Sequence, residues 1–195
     1  MNLGQPRRNT RGRRLQSGAR RSVADEVQLL EATKDFAVAV WGNVLVVVWR
    51  ERTLAHDVLT VRRHFESVKS MHPKGMLLLT LVDAKAPPPN EAARTALVEF
   101  FRSGEGCIAA GAVVLEGHSL RTAFVRGVAT GLAMMAKLPF PFVPTTMAGA
   151  IKLLDSHAKR QGVALNAERI PSVAKQVREK VETHATVLLN CVTAS

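Results

Sequence analysis

The fold class this sequence predicts is α/β: one domain on a mixed sheet, with an N-terminal β-hairpin followed by parallel βα units. Three observations predict it. Two β-branched runs, "FAVAVW" and "VLVVVW", are separated only by Gly42-Asn43. The run "GMLLLTLVDA" shows no polar alternation, as a central strand covered on both faces requires. Between and after these runs, apolar residues recur at three-and-four spacing, so helices alternate with strands and right-handed crossovers join the parallel part. A length of 195 residues suffices for one well-buried core and falls short of two.

In chain order, residues 1–32 read as a basic, mostly disordered and flexible arm, ending in a short helical coda at "VADEVQLLEA". Gly42 at the first central position suits a type II′ hairpin, and pairing Trp41 with Val44 sets Phe36 opposite Trp49. Phe36, Val38, Val40, Leu45, Val47 and Trp49 then share one face, while Trp41, Val44, Val46 and Val48 share the other; both are apolar and need covering. Thr53 is the expected N-cap of a helix whose stripe runs Leu54, Val58, Val61, Phe65, Val68, Met71, ending near Pro73. After the "LLLTLV" strand, Pro87, Pro88 and Pro89 end sheet pairing. Asn90 caps "EAARTALVEFFRS", whose Leu97, Phe100 and Phe101 face inward, and Gly104 and Gly106 stop it. "CIAAGAVVLEG" is the next strand. Ser119 caps a helix through Leu138, in which Gly127 and Gly131 predict close approach to the sheet, and Met134 and Met135 are read as core filling, with lining of an adaptable apolar pocket as the alternative. "PFVPTT" gives a short last strand, and Thr146 caps "MAGAIKLLDSHAKRQ" up to Gly162. Residues 163–195 form a linker and a C-terminal amphipathic helix with the stripe Val173, Val177, Val181, Ala185, Leu188. This helix is expected to cover the open sheet face or to make a homodimer contact. The domain itself spans 33–162.

Composition narrows the classes. The net charge is +11, and Arg7, Arg8, Arg11, Arg13, Arg14, Arg20 and Arg21 concentrate it in the arm. Such an arm can contact nucleic acid or an anionic surface without specificity, because no aromatic residue is interleaved for base stacking. Cys107 and Cys191 have no metal or redox spacing, so a reducing cytoplasm is the expected location. No apolar stretch reaches a bilayer span, and no apolar segment follows the first arginines as a secretory signal needs.

The segment "SLRTAFVRGVATGLAMMAKLPFPFVPTTMAGAIKLL" combines a helix, a proline-marked break, a short aromatic strand, a Thr cap and a helix with paired leucines; "LLLTLVDA" supplies a long central strand. This order, over roughly Thr33 to Gly162, resembles the STAS domain, in particular its SpoIIAA-like branch with kinship to CRAL-TRIO lipid-binding domains. The resemblance implies a bacterial, regulatory or scaffolding protein-binding module, and the kinship implies a carrier or sensor of a lipid-like apolar molecule as the alternative. In phospho-regulated members a serine caps the helix after the central strand. "DAKAPPPNEA" has no hydroxyl there, so the phosphate that would add about −1.5 to −2 charges has no acceptor.

If the strands are parallel, "VDAKAPPPN", "EGHS" and "PTT" leave their carboxyl ends on one rim, where open α/β sheets bind ligands. Asp83, Lys85, Asn90, His118, Ser119, Arg121, Thr145 and Thr146 are the candidate partner- or ligand-binding residues. The bland reading of the same residues is loop-holding and helix-capping. No catalytic set is expected: Ser119 neighbours His118 only in sequence, and adjacent residues at a helix start point apart, whereas a nucleophile needs its base in hydrogen-bond reach. No metal or cofactor is expected either. His56, His64 and His72 are eight apart, roughly 80° of helix rotation each, and are read as surface histidines. "GEGCIAAG" precedes a strand, where a dinucleotide fingerprint must follow one.

Overall fold

The computed structural model describes residues 26–116, 120–138 and 140–180. The arginine arm, Gly117, His118, Ser119, Pro139 and the chain from 181 onward lie outside the described residues. Six strands form one sheet in sequential order: β1 (Val27–Ala32), β2 (Phe36–Trp41), β3 (Val44–Trp49), β4 (Met76–Val82), β5 (Ile108–Leu115) and β6 (Phe142–Thr145). β1, β2 and β3 pair antiparallel, and β3 through β6 pair parallel.

The hairpin has the expected register, with Trp41 opposite Val44 and Phe36 opposite Trp49. Gly42 takes φ +54° while Asn43 stays at negative φ, the pattern of a II′ turn. Every residue of β2 and β3 is buried. Because period-two alternation divides them between two faces, both faces must be covered.

The consecutive strand order decides how. Each crossover steps to the next strand in the same direction, so connections of one hand put their helices on one side. α1 (Ala55–Lys69), α2 (Glu91–Ser103) and α3 (Leu120–Ala136) do lie together on the first face. Val58, Val61, Phe65, Phe100, Phe101 and Ala136 pack there on Phe36, Val38, Leu45, Val47 and Trp49. Phe65 meets Phe100 edge-on at 5.6 Å, the geometry aromatic quadrupoles favour. Past β6 the chain changes side. α4 (Met147–Gln161), capped by Thr146 and closed by left-handed Gly162, and α5 (described over 170–180) cover the second face. Ala150, Leu154, Ile170, Val173 and Val177 pack on Trp41, Val44, Val46, Leu77, Leu79 and Leu81. The described part of the C-terminal stripe, Val173 and Val177, therefore covers its own sheet, and Val181, Ala185 and Leu188 lie outside the described residues.

Several expectations need correction. Val27–Ala32, expected as a helical coda of the arm, is an edge strand, so the sheet begins inside the segment assigned to the arm. Its register slips between Leu29 and Glu31, a bulge of the kind that blunts exposed edges. Helix α1 is capped at Leu54 rather than Thr53, and Met71 is 64% exposed beyond its end. Helix α3 ends at Ala136, where Lys137 takes φ +49°. Gly127 and Gly131 do not approach the sheet, since a Cβ on either meets nothing within 4 Å. Met134 and Met135 are exposed rather than core. The glycine that does permit close contact is Gly111 of β5, where a Cβ would meet the Phe142 ring at 2.5 Å.

His64 is half-buried, and its Nε2 lies 2.7 Å from Glu31 Oε2, tying the edge strand to α1. Partly exposed pairs contribute about 0.2–1 kcal/mol, enough to set local but not global opening. In His64→Ala, amide exchange should quicken over Val27–Ala32 with the melting temperature almost unchanged; uniform protection in β1 would show that the pair does not hold the edge.

Candidate functional site: the carboxyl rim and the cavity beneath it

Parallel register places Trp49 beside Val82, Val82 beside Leu115, and Val114 beside Thr145. The connectors that follow β3, β4, β5 and β6 thus leave along one rim, as the sequence predicts. The β1–β2 turn joins them, because Arg50 N donates to Asp35 O at 2.8 Å.

The connector after β4 is fixed along its length. Asp83 N donates to Trp49 O, and Ala86 N donates to Asp83 O. Asp83 Oδ1 accepts from Lys85 N at 2.9 Å, and Asn90 Oδ1 accepts from Ala93 N at 2.9 Å as the N-cap of α2. Ala86 is buried, while Lys85, Pro87 and Asn90 are exposed. After β6, Thr146 Oγ1 accepts from Gly149 N at 3.2 Å, and the Thr145 side chain fills the space a Cβ on Gly149 would need. Asp83, Asn90 and Thr146 are therefore engaged by their own backbone. His118, Ser119 and the Arg121 side chain, also expected at the rim, lie outside the described residues. Glu116 N donates to Val82 O at 3.0 Å, and the Glu116 carboxylate pairs with Arg178 of α5, which holds that helix at the rim.

Sequence reasoning missed a charged corner after β3. Asp35 and Asp57 are both buried. Arg52 Nε stands 3.6 Å from Asp35 Oδ1, and His56 Nε2 is 3.2 Å from Asp57 Oδ1. Asp57 Oδ2 accepts from Leu54 N at 3.3 Å, the reciprocal half of a capping box; Leu54 has no acceptor to return it. Burial pushes the Asp57 carboxyl above its ordinary 3.8, with Asp35 adding to the rise, and His56, the Leu54 amide and Arg52 opposing it. His56, His64 and His72 share no face: His56 is exposed, His64 binds Glu31, and His72 lies past the end of α1, where burial lowers its pKa. Among the described residues no three His, Cys, Asp or Glu side chains group as a metal site, and no helix is long and apolar enough to cross a membrane.

Beneath the rim, between the first sheet face and α1, α2 and α3, is a partly open cavity of about 70 Å³. Its walls are Val47 and Trp49 of β3, Thr80 and Val82 of β4, Val113, Phe142, the connector residues Thr53, Pro87 and Pro89, and apolar side chains of the three helices. Thr53 and Thr80 are the polar members, 8% and 9% exposed. Neither hydroxyl hydrogen-bonds to a described residue. The sequence signal for Thr80 was present: it is the one hydroxyl in "MLLLTLV".

No protein-family model matches the chain, and neither a curated protein nor a solved structure matches it.

The raised Asp57 pKa has a definite sign. Its contribution to stability is complete below the unfolded value and is lost as pH rises through the higher folded value. Relative to wild type, Asp57→Asn keeps an acceptor for Leu54 N and should gain stability across the acid range above 3.8. Asp57→Ala should lose about 1 kcal/mol with the cap. Urea midpoints of the three proteins against pH check this; parallel curves for wild type and Asp57→Asn would exclude the assigned cause.

Proposed function

We propose that this chain is a non-enzymatic protein-interaction module of STAS type, regulatory or scaffolding in role, that docks a protein partner on the carboxyl rim and operates without a serine phospho-switch. The observation that carries the reading is the preorganised connector 83–90. Its backbone is bonded at both ends, Ala86 is buried, and three prolines stiffen the part that presents Lys85, Pro87 and Asn90 to solvent. A surface already ordered loses little conformational entropy on binding, which leaves more of the contact energy as affinity. The order of elements supports the same reading, and so does the missing hydroxyl before α2.

The cavity bears on the alternative, a lipid-like carrier. Ligand pockets for drug-sized molecules span about 300–1,000 Å³, and a volume of about 70 Å³ holds no acyl chain. The arginine arm offers a second alternative, non-specific nucleic-acid contact, which predicts binding that falls steeply with salt.

Affinity capture from the native cell with three proteins tests the proposal. Wild type and a chain lacking residues 1–22 should retain the same defined partner. The variant Lys85→Glu should weaken it about tenfold, through reversed charge at the rim, with an unchanged melting curve. Undiminished retention by Lys85→Glu, or loss on deleting the arm, would move the interface away from the rim. A co-purifying lipid in native mass spectrometry would favour the carrier.

A further inference from the structure

We propose that the cavity beneath the rim is a binding site for a small neutral aliphatic molecule carrying one oxygen function, an alcohol or a ketone of roughly benzene size or smaller. Two independent features point there. The lining is almost wholly apolar, so it takes a hydrocarbon body. Thr53 and Thr80, each more than nine-tenths buried, line the same space with hydroxyls that no described residue engages.

The chemistry of the lining limits the occupant. A buried water settles where two to four polar groups hold it, and the described residues of this wall offer two hydroxyls among aliphatic and aromatic carbons. An organic oxygen is satisfied by one or both hydroxyls while its carbon body meets Val47, Val58 and Leu97. A carboxylate or ammonium is disfavoured, because among the described residues no charged side chain lines the cavity and an unpaired buried ion is costly. Size sets the upper bound: an engineered apolar cavity of about 150 Å³ takes benzene, and this one is about 70 Å³ but partly open. Pro87 and Pro89 form a stiff part of the wall, which opposes widening.

The two tryptophans supply the readout. Trp49 lines the cavity, whereas Trp41 packs on the opposite face of the sheet. The full chain labelled with nitrogen-15 is titrated with cyclopentanol, cyclopentane and palmitate while both indole N–H signals are followed. Cyclopentanol should shift the Trp49 signal saturably and leave Trp41 in place. Cyclopentane should bind about five- to tenfold more weakly, for want of one hydrogen bond. Thr80→Val should erase that preference while melting at the same or a higher temperature; Thr53→Val is the parallel variant should the first fail to fold. The proposal is overturned if neither probe moves Trp49, if the preference survives both substitutions, or if palmitate binds there more tightly than cyclopentanol.

Discussion

Two strands with no exposed residue constrain the rest of this protein. β2 and β3 bury all of their side chains, and a sheet apolar on both sides is stable only when each side is covered. Burying a Val, Leu, Ile or Phe side chain contributes about 1.5–3 kcal/mol, and that gain is available on a face only once helices arrive. The first face is covered by three helices because the strands run in sequential order. The second depends on the chain crossing over after β6 and returning through α4 and α5. The C-terminal segment is thus part of the core, with Ile170, Val173 and Val177 fully buried, and Leu165 of the link from α4 packs against the same cluster.

The same topology produces the rim. Parallel strands place all their carboxyl ends on one side, and each crossover begins there with a connector that turns into a helix. The helix starts need capping, and Asn90 and Thr146 supply it. Polar residues gather at the rim for reasons of folding first. What distinguishes it is rigidity: the connector after β4 exposes Lys85 and Pro87 from a backbone fixed through Asp83, Ala86 and Asn90.

Much of this was legible in the sequence because it follows from period and turn chemistry. Gly42 fixed the hairpin register, and the register assigned each side chain of β2 and β3 to a face. Caps at Asn90, Thr146 and Gly162 were legible because their geometry is local. Elements whose form is set by distant partners were not. "VQLLEA" carries a helix-like spacing, yet it is a strand because β2 offers an unpaired edge; tertiary pairing overrides propensity. Gly127 and Gly131 resemble a packing groove, but which face of α3 meets the sheet depends on how the helix is rotated in its layer. Thr53 looked like a cap, but α1 starts one residue later. The Asp35–Asp57 corner joins a turn and a helix start 22 positions apart (57 − 35), and only the fold brings them together.

Thr80 shows where folding alone runs out as an explanation. It occupies the first-face row Met76, Leu78, Thr80, Val82 in the middle of the sheet. Its hydroxyl makes no hydrogen bond to a described residue and gains nothing from its apolar neighbours. Valine has the same branched shape and at least the same strand preference, and it would serve packing at this position as well. Helix α1 likewise takes its N-terminal bond from Asp57, which leaves the Thr53 hydroxyl without the capping role its position suggested. Two unengaged hydroxyls on residues of one small apolar wall are therefore a feature that packing does not account for. Such hydroxyls facing an apolar space suit an oxygen supplied from outside the chain, which is what the proposed ligand would bring.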